Sequence, residues 1–181
     1  RLEAIRADNR VGGALATRHL IETGRRDIVF VGPDLSSHQQ FAERYAGYAA
    51  TMENHGLTPR TAPTLSAASR EEEGYAAIKA LIATAMPFDG IFAVGDLIGL
   101  GALQCLKDHG IAVPSSVGLV GFDGIRAGGY ASPALSTVEP DFRIAGKMLV
   151  ENLLAMARGD DVDDSRVPVR LLVRDSSVAQ R

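Results

Sequence analysis

Two aspartates and one arginine are the side chains whose types and positions could do chemistry together. Asp123 follows the apolar run LVGF at 119–122, and Asp96 ends the run GIFAVGD that starts at 90. Arg44 lies in the stretch ERYAGY. A carboxylate accepts hydrogen bonds from hydroxyl groups, and an arginine donates them to hydroxyl, carboxylate or phosphate oxygens. This combination predicts a site for a small polyhydroxylated or anionic ligand.

Each of these residues also has a purely structural interpretation. An arginine on a helix, such as Arg44, is commonly either solvated or snorkelling, with its stem along apolar surface and its charged group in water. Asp96 stands before LIGLGAL, where an aspartate commonly caps a helix, and this is the interpretation we prefer for it. Asp123 is followed by glycine and could be a turn residue. The alternatives stay open at the level of single residues.

Catalysis by an Asp96–Asp123 acid–base pair is the weaker interpretation. The four histidines have no metal-ligand spacing, and Cys105 is the only cysteine. The sequence has no G-x-S-x-G elbow and no Walker loop. We therefore predict no enzyme, no catalytic residue, no metal and no cofactor.

The elements that must position these residues alternate between helix and strand. Continuous apolar runs predict strands that are buried on both faces. The predicted fold is α/β, with a Rossmann-like parallel sheet flanked by helices. Ligands bind beyond the carboxyl ends of such strands, so Asp96, Asp123 and the loop 32–40 should gather along one rim. Strands are predicted at 27–32, 61–65 (weakly), 90–95, 117–122 and 167–173, and helices from Asp8 or Asn9 to Gly24, at 41–55, from Ser69, at 97–109 and at 142–157.

Composition excludes several classes of partner. The 181 residues are 46% apolar and 23% charged, with a formal net charge of −3. That charge argues against a general nucleic-acid or membrane surface, because neutralising phosphates requires a surplus of Lys and Arg. One cysteine favours a reducing compartment, so we expect a cytoplasmic protein with no membrane partner. The first residue is Arg1 rather than Met, and we expect a longer parent chain.

Six blocks of the sequence, in this order, resemble the regulatory domain of bacterial LacI/GalR-type transcription repressors. The resemblance implies two similar α/β lobes, as in periplasmic binding proteins, which enclose a small effector such as a sugar or nucleoside. It also implies an N-terminal helix-turn-helix that is not in this chain. The blocks are DNRVGGALATRHLIETGRRDIVFVG, ERYAGY, FDGIFAVGD, GIAVPSSVGLVGFDG, YASPALSTVEPDF and VPVRLLVRDSS.

The resemblance also divides the chain between lobes. Residues 1–141 and 169–181 would form the C-terminal lobe, and 142–168 would be a crossover segment of the N-terminal lobe. The implied function is effector sensing and dimerisation in a homodimeric regulator, with operator DNA bound only through the N-terminal domain. A periplasmic sugar-binding protein of a transport system is the alternative from another class, and a small α/β enzyme is a third.

The resemblance implies ligand-binding roles for five residues. Arg44 and Asp123 match effector-binding positions, and Phe142 in EPDF matches a crossover position whose ring lines the pocket. Gln40 stands where the family often has a smaller hydroxyl residue, and Asp96 matches the acid of an Asn-Asp pair. The residue before Asp96 is a glycine here, so the amide contact of that pair is lost.

The helix after Asp96 also predicts self-association. Its apolar residues cover more than one helix face, so one stripe can pack on the sheet while the rest needs another partner. The resemblance implies that this helix and the loop bearing Tyr130 pair across a two-fold axis. A helix buried within a single domain is the alternative. The residues predicted at the interface are Leu97, Leu100, Leu103 and Tyr130.

Overall fold

The computed structural model of the chain describes residues 5–36, 38–160 and 165–178. Helices and strands alternate along most of that length, as the apolar runs predict. The helices in the described ranges are α1 (Asn9–Glu22), α2 (Gln39–Asn54), α3 (Arg70–Ala83), α4 (Asp96–Asp108), α5 (Arg126–Gly129) and α6 (Phe142–Arg158). The strands are β1 (Arg6–Ala7), β2 (Ile28–Val31), β3 (Arg60–Thr61), β4 (Gly90–Ala93), β5 (Gly118–Phe122), β6 (Ser136–Pro140), β7 (Arg166–Val167) and β8 (Val169–Leu172).

Six of the strands form one sheet in the order β3-β2-β4-β5-β6-β8. The first five are mutually parallel, and β8 runs antiparallel to β6. Every residue of β2, β4 and β5 is buried, which explains why their sequences are continuous apolar runs. The predicted α/β fold with a parallel sheet flanked by helices is confirmed.

Successive side chains of β5 point to opposite faces of the sheet, and their neighbours show that helices cover both faces. A Cβ added at Gly12 of α1 would meet the Phe122 ring, whereas one added at Gly99 of α4 would meet Leu119. Residues 119 and 122 point to opposite faces of a strand, so α1 and α4 lie on opposite sides. Helix α2 packs on α1, and α3 packs on α4.

Helices α1 and α2 approach each other closely enough to require glycine. A Cβ at Gly13 would collide with the backbone carbonyl of Arg44, and one at Gly47 would collide with that of Arg10. Each helix therefore presents a glycine to the backbone of the other. This contact fixes the position of Arg44 relative to the first turn of α1.

The prediction of a single strand at 167–173 is wrong, because two strands lie there. Pro168 separates β7 from β8, and its missing N–H group removes a ladder hydrogen bond. Strand β7 pairs in parallel with β1 in a separate two-stranded sheet. Strands β1 and β6 and the short helix α5 were not predicted at all.

Helix α6 is the least covered element of the described chain. None of its residues is buried, and 53% of Leu149 and 56% of Leu153 are exposed. Its contacts with other elements are chiefly to β7. Asp141 caps its first turn by accepting hydrogen bonds from Arg143 N and Ile144 N. Residues 161–164, which follow it in the predicted crossover segment, lie outside the described residues.

Candidate ligand-binding site

The carboxyl ends of β4 and β5 bring the two predicted aspartates together, because parallel neighbouring strands end at the same edge. Asp123 is the first residue after β5, and Asp96 begins α4 shortly after β4. Asp123 Oδ2 lies 3.1 Å from the position that a Cβ on Gly95, the residue before Asp96, would occupy. The predicted convergence of the two acids at one rim is therefore what the structure shows.

Asp123 has a backbone conformation that residues other than glycine rarely adopt. Its φ is +108°, and its N–H donates to Val138 O at 2.8 Å. Non-glycine residues with positive φ persist where the surrounding structure holds them, and they concentrate at functional sites. The side chain is 47% exposed and forms an ion pair with Arg44, with 3.2 Å between Oδ1 and Nη2. Half of this carboxylate therefore faces the outside of the rim.

Arg44 lies beneath Asp123 rather than beside it. It is 7% exposed, and its guanidinium carbon lies 3.6 Å from the centre of the Phe122 ring. Nε donates to Asn9 Oδ1 at 2.9 Å, and Nη1 donates to the carbonyl oxygen of Val94. Its polar contacts account for three of the five N–H groups of a guanidinium. Burial lowers the pKa of Arg44, and the charge of Asp123 opposes that shift.

Opposing effects act on the pKa of the Asp123 carboxyl group. Burial raises its pKa, while the charge and hydrogen bond of Arg44 lower it and leave a net increase. The ion pair with Arg44 thus keeps an acid oriented at the rim. An oriented carboxylate with an exposed side can accept hydrogen bonds from the hydroxyl groups of a ligand.

Asp96 is completely buried, and its ligand-binding assignment has to be corrected. Oδ2 accepts from Ile125 N at 2.8 Å, and Oδ1 accepts from Thr137 Oγ1 at 2.7 Å. A Cβ at Gly121 would collide with this carboxylate, so a glycine is needed on β5. Burial raises the pKa of Asp96 to about 6. Its side chain holds the loop after Asp123 and does not reach the ligand side.

The N-cap interpretation of Asp96 is also wrong. The N-cap of α4 is Gly95, and Asp96 is the first residue of the helix. Gly95 has no side chain that could accept a hydrogen bond from the first turn of α4, and the Asp123 carboxylate lies beside it.

Gln40 and Phe142 are both exposed at the starts of helices. Gln40 is exposed in the first turn of α2, one turn before Arg44. Phe142 is 64% exposed at the start of α6. It lines a cavity of about 350 Å³ whose other walls come from the end of β6, the start of α6 and Arg170 of β8. Within the described residues, neither side chain hydrogen-bonds to Arg44 or Asp123.

Sequence reasoning missed the residues that support the site. Asn9 is 2% exposed and binds Arg44, and Thr137 is fully buried and binds Asp96. The available signals were weak, since Asn9 resembles part of a helix cap and Thr137 lies in an unpredicted strand. Asp8, not Asn9, caps α1, because its side chain accepts from Val11 N.

The predicted interface residues separate into exposed and buried ones. Leu97 is 39% exposed, Tyr130 is 82% exposed and Leu100 is partly buried. Leu103 is 7% exposed and belongs to the hydrophobic core, because that side of α4 packs on the sheet. The assignment of Leu103 to an interface is therefore corrected.

The described part of the chain contains neither a cluster of metal-ligand residues nor a helix that could span a membrane. Nowhere between residues 5 and 178, the gaps at 37 and 161–164 apart, do three His, Cys, Asp or Glu side chains gather as metal ligands. In the same part of the chain, no helix has the length and apolar content needed to cross a membrane.

Comparison with known proteins defines the class to which this fold and site belong. Residues 17–177 match the family model of the periplasmic binding protein-like domain. The chain belongs to that domain family.

The relatives narrow the class to transcription repressors, and the predicted LacI/GalR-type resemblance is confirmed. The HTH-type transcriptional repressor PurR of Haemophilus influenzae strain PittEE is 32% identical over 143 residues, which are 79% of this chain and 42% of PurR. The ribose operon repressor of Halalkalibacterium halodurans is 30% identical over 176 residues, covering 96% of this chain and 52% of that repressor. The chain thus spans about half the length of these relatives.

A solved structure shows the same fold in a complex. It is a periplasmic binding protein/LacI transcriptional regulator from Alkaliphilus metalliredigens with D-xylulofuranose. The TM-score is 0.82 at 25% identity, over 97% of this chain and 65% of that one.

Proposed function

We propose that this chain is the effector-sensing and dimerising part of a cytoplasmic LacI-type transcription regulator. It binds a small sugar-like or nucleoside-like molecule and has no catalytic activity of its own. Operator DNA is bound by an N-terminal helix-turn-helix of the parent protein. The relatives named above are repressors, which favours this function over solute delivery to a transporter.

One observation supports this function above the others. Asp123 presents a half-exposed carboxylate at the carboxyl edge of the sheet, with Arg44 beneath it and Gly95, the N-cap of α4, beside it. The backbone strain at Asp123 is of the kind that is retained at ligand sites. A fixed, half-exposed acceptor suits the recognition of hydroxyl groups on a ligand.

The chemistry of the relatives supports a hydroxyl-rich effector. One is named for the ribose operon, and a solved neighbour holds D-xylulofuranose. Both sugars are rich in hydroxyl groups, which are the donors that a carboxylate such as Asp123 accepts. We extend this class of ligand to the present chain.

The exposed helix α6 supports the proposed division of the chain between two lobes. Leu149, Leu153 and Leu154 are a little over half exposed, so leaving each of them in water forfeits about half of the roughly 1.5–3 kcal/mol that full burial of such a side chain provides. We propose that the first lobe covers this face, so that 142–168 is a crossover segment. An effector between the lobes then acts through its different affinities for their open and closed arrangements.

The exposed residues on α4 and its neighbouring loop support the dimerisation part of the proposal. Leu97 and Leu100 lie three residues apart on one side of the helix, and Tyr130 is mostly exposed. In a two-fold dimer the same patch would meet itself across the axis. That arrangement would remove these apolar side chains from water in both copies.

A comparison of two aspartate variants tests the ligand site. The protein is first screened by thermal shift against sugars, nucleosides and phosphorylated sugars, and the compound that stabilises it is titrated by calorimetry. Asp123→Asn should then weaken binding roughly tenfold, because a charge-assisted hydrogen bond exceeds a neutral one by about 1–1.5 kcal/mol.

Asp27→Asn is the matched control for that experiment. Asp27 is also paired with an arginine and is 52% exposed, but it stands at the opposite end of β2 from the rim. The affinity of the Asp27→Asn variant for the titrated compound should equal that of the wild type. Equal affinities for the wild type and Asp123→Asn would remove Asp123 from the site.

A further inference from the structure

A continuous series of polar contacts runs from Asp123 away from the rim. Arg44 binds Asp123 through Nη2 and binds Asn9 Oδ1 through Nε, at 2.9 Å. The amide nitrogen of Asn9 in turn donates to Glu43 Oε2 at 3.2 Å. Asn9 thus stands between Arg44 and Glu43, with its acceptor toward the arginine and its donor toward the glutamate.

Glu43 connects this series to the strand pair β1–β7. Arg166 on β7 donates to both of its carboxylate oxygens, at 2.9 Å and 3.3 Å. Arg6 on β1 is the register partner of Arg166 and donates to Gln39 in the first turn of α2, at 2.7 Å. Both strands are therefore attached to the amino-terminal half of the helix that carries Arg44.

The charge of Glu43 is stabilised by these contacts. Burial by itself would raise the pKa of Glu43, but the hydrogen bonds from Arg166 and Asn9 outweigh burial and lower it. Glu43 therefore stays ionised at neutral pH and keeps both partners oriented. A forked arginine–carboxylate contact fixes direction as well as distance.

We propose that Asn9 and Glu43 are positioning residues that hold Arg44 against Asp123, and that Arg166 ties this arrangement to the β1–β7 strand pair. The buried Nε–H of Arg44 needs an acceptor, and Asn9 Oδ1 supplies it. The amide of Asn9 is oriented by Glu43, and Glu43 by Arg166. A movement of the strand pair would then alter the presentation of Asp123, and a ligand on Asp123 would alter the strand pair.

The proposal rests on the proposed function only in treating Asp123 as the ligand acid, and its test needs no ligand. The readout is the pKa of the Asp123 carboxyl group, measured by ¹³C NMR on the whole chain labelled at aspartate. The charged groups around it are Arg44, the neighbouring Asp96 and, on the far side of Arg44, Glu43. Asn9→Ala changes no charge, so any shift reports the position of Arg44. We expect the pKa to rise by roughly half a unit or more, because the stabilising cation is less well held.

Glu43→Ala is the decisive second variant, because two explanations predict opposite signs. Removing a nearby anion should by itself lower the pKa of Asp123. Releasing Asn9 and Arg44 should raise it. The Glu43 side chain is 19% exposed on a helix, so alanine there is far less disruptive than a change in the core. The proposal requires a rise, and a fall or no change overturns it.

Amide hydrogen exchange tests the role of Arg166. Arg166→Ala should accelerate exchange in residues 41–45 of α2. Arg60→Ala removes the Arg60–Asp27 ion pair, neither of whose residues belongs to the series, and should leave those amides unchanged. Equal exchange in the two variants would remove Arg166 from the proposal. Because these readouts use no ligand, they stay separate from the calorimetric test of Asp123.

Discussion

The buried carboxylate of Asp96 makes a prediction about stability that can be worked out in sign and size. Asp96 is fully buried, and its pKa in the folded protein is about 6, against an ordinary value of 3.8. An acid whose pKa is raised by folding binds its proton more tightly in the folded state. Between these two pH values the unfolded chain has released the proton while the folded chain still holds it. Stability should therefore fall as pH rises through this window and level off above about pH 6.

The size of the effect follows from the difference between the two pKa values. About two pH units correspond to about 3 kcal/mol of unfolding free energy. Asp96→Asn removes the titration while it keeps one oxygen to accept from Ile125 N. The wild type should thus lose about 3 kcal/mol relative to this variant between about pH 4 and pH 7. The comparison cancels the other titrating groups, apart from the nearby Asp123.

Urea unfolding of both proteins across that pH range measures the effect. The quantity of interest is the difference between their unfolding free energies, plotted against pH. It should change steadily through the window and become constant above it. Two parallel curves would refute the reasoning, since they would mean that Asp96 titrates alike in the folded and unfolded states. A difference that grows in favour of the wild type with rising pH would show that its hydrogen bonds outweigh burial.

Two further predictions concern association and DNA. Leu97→Glu should convert the dimer to a monomer in sedimentation without loss of helical signal, because it places unpaired charge on both sides of the axis. Val11→Glu, at a similarly exposed site on α1, should leave the dimer intact, and a wild type that is monomeric at high concentration would contradict the idea. This chain alone should give no sequence-specific gel shift with operator DNA even at low salt, since its net charge is −3 and Arg25 and Arg26 donate to backbone carbonyls within the chain. A salt-sensitive specific complex would overturn that expectation.

The core strands were predictable because their burial is visible as continuous apolar residues in the sequence. Strands β2, β4 and β5 are apolar at nearly every position, and a strand covered by helices on both faces needs such a sequence. The caps of α1 and α3 were equally predictable. Asp8 and Ser69 each accept a backbone N–H of the first turn, a contact that spans only three residues.

Strand β6 was missed because its burial depends on partners that are distant in the sequence. Ser136 is fully buried, and its polar groups are satisfied by distant partners. Its hydroxyl group contacts the Ser177 hydroxyl at 2.6 Å, and its N–H donates to Ser176 Oγ. These partners lie about 40 residues further along the chain. A polar pair at 136–137 does not predict a buried strand until those partners are known. The antiparallel direction of β8 was likewise not visible in its apolar residues.

The sequence by itself determined that Asp96 and Asp123 would meet at one edge of the sheet. Both follow apolar strands, and the ends of neighbouring parallel strands lie side by side. Only the tertiary structure decided which acid faces outward. Asp96 is enclosed by Thr137 and the loop at Ile125, while Asp123 remains half exposed above Arg44. Exposure depends on the atoms that chain segments far apart in the sequence bring around each carboxylate, and a local pattern does not contain that information.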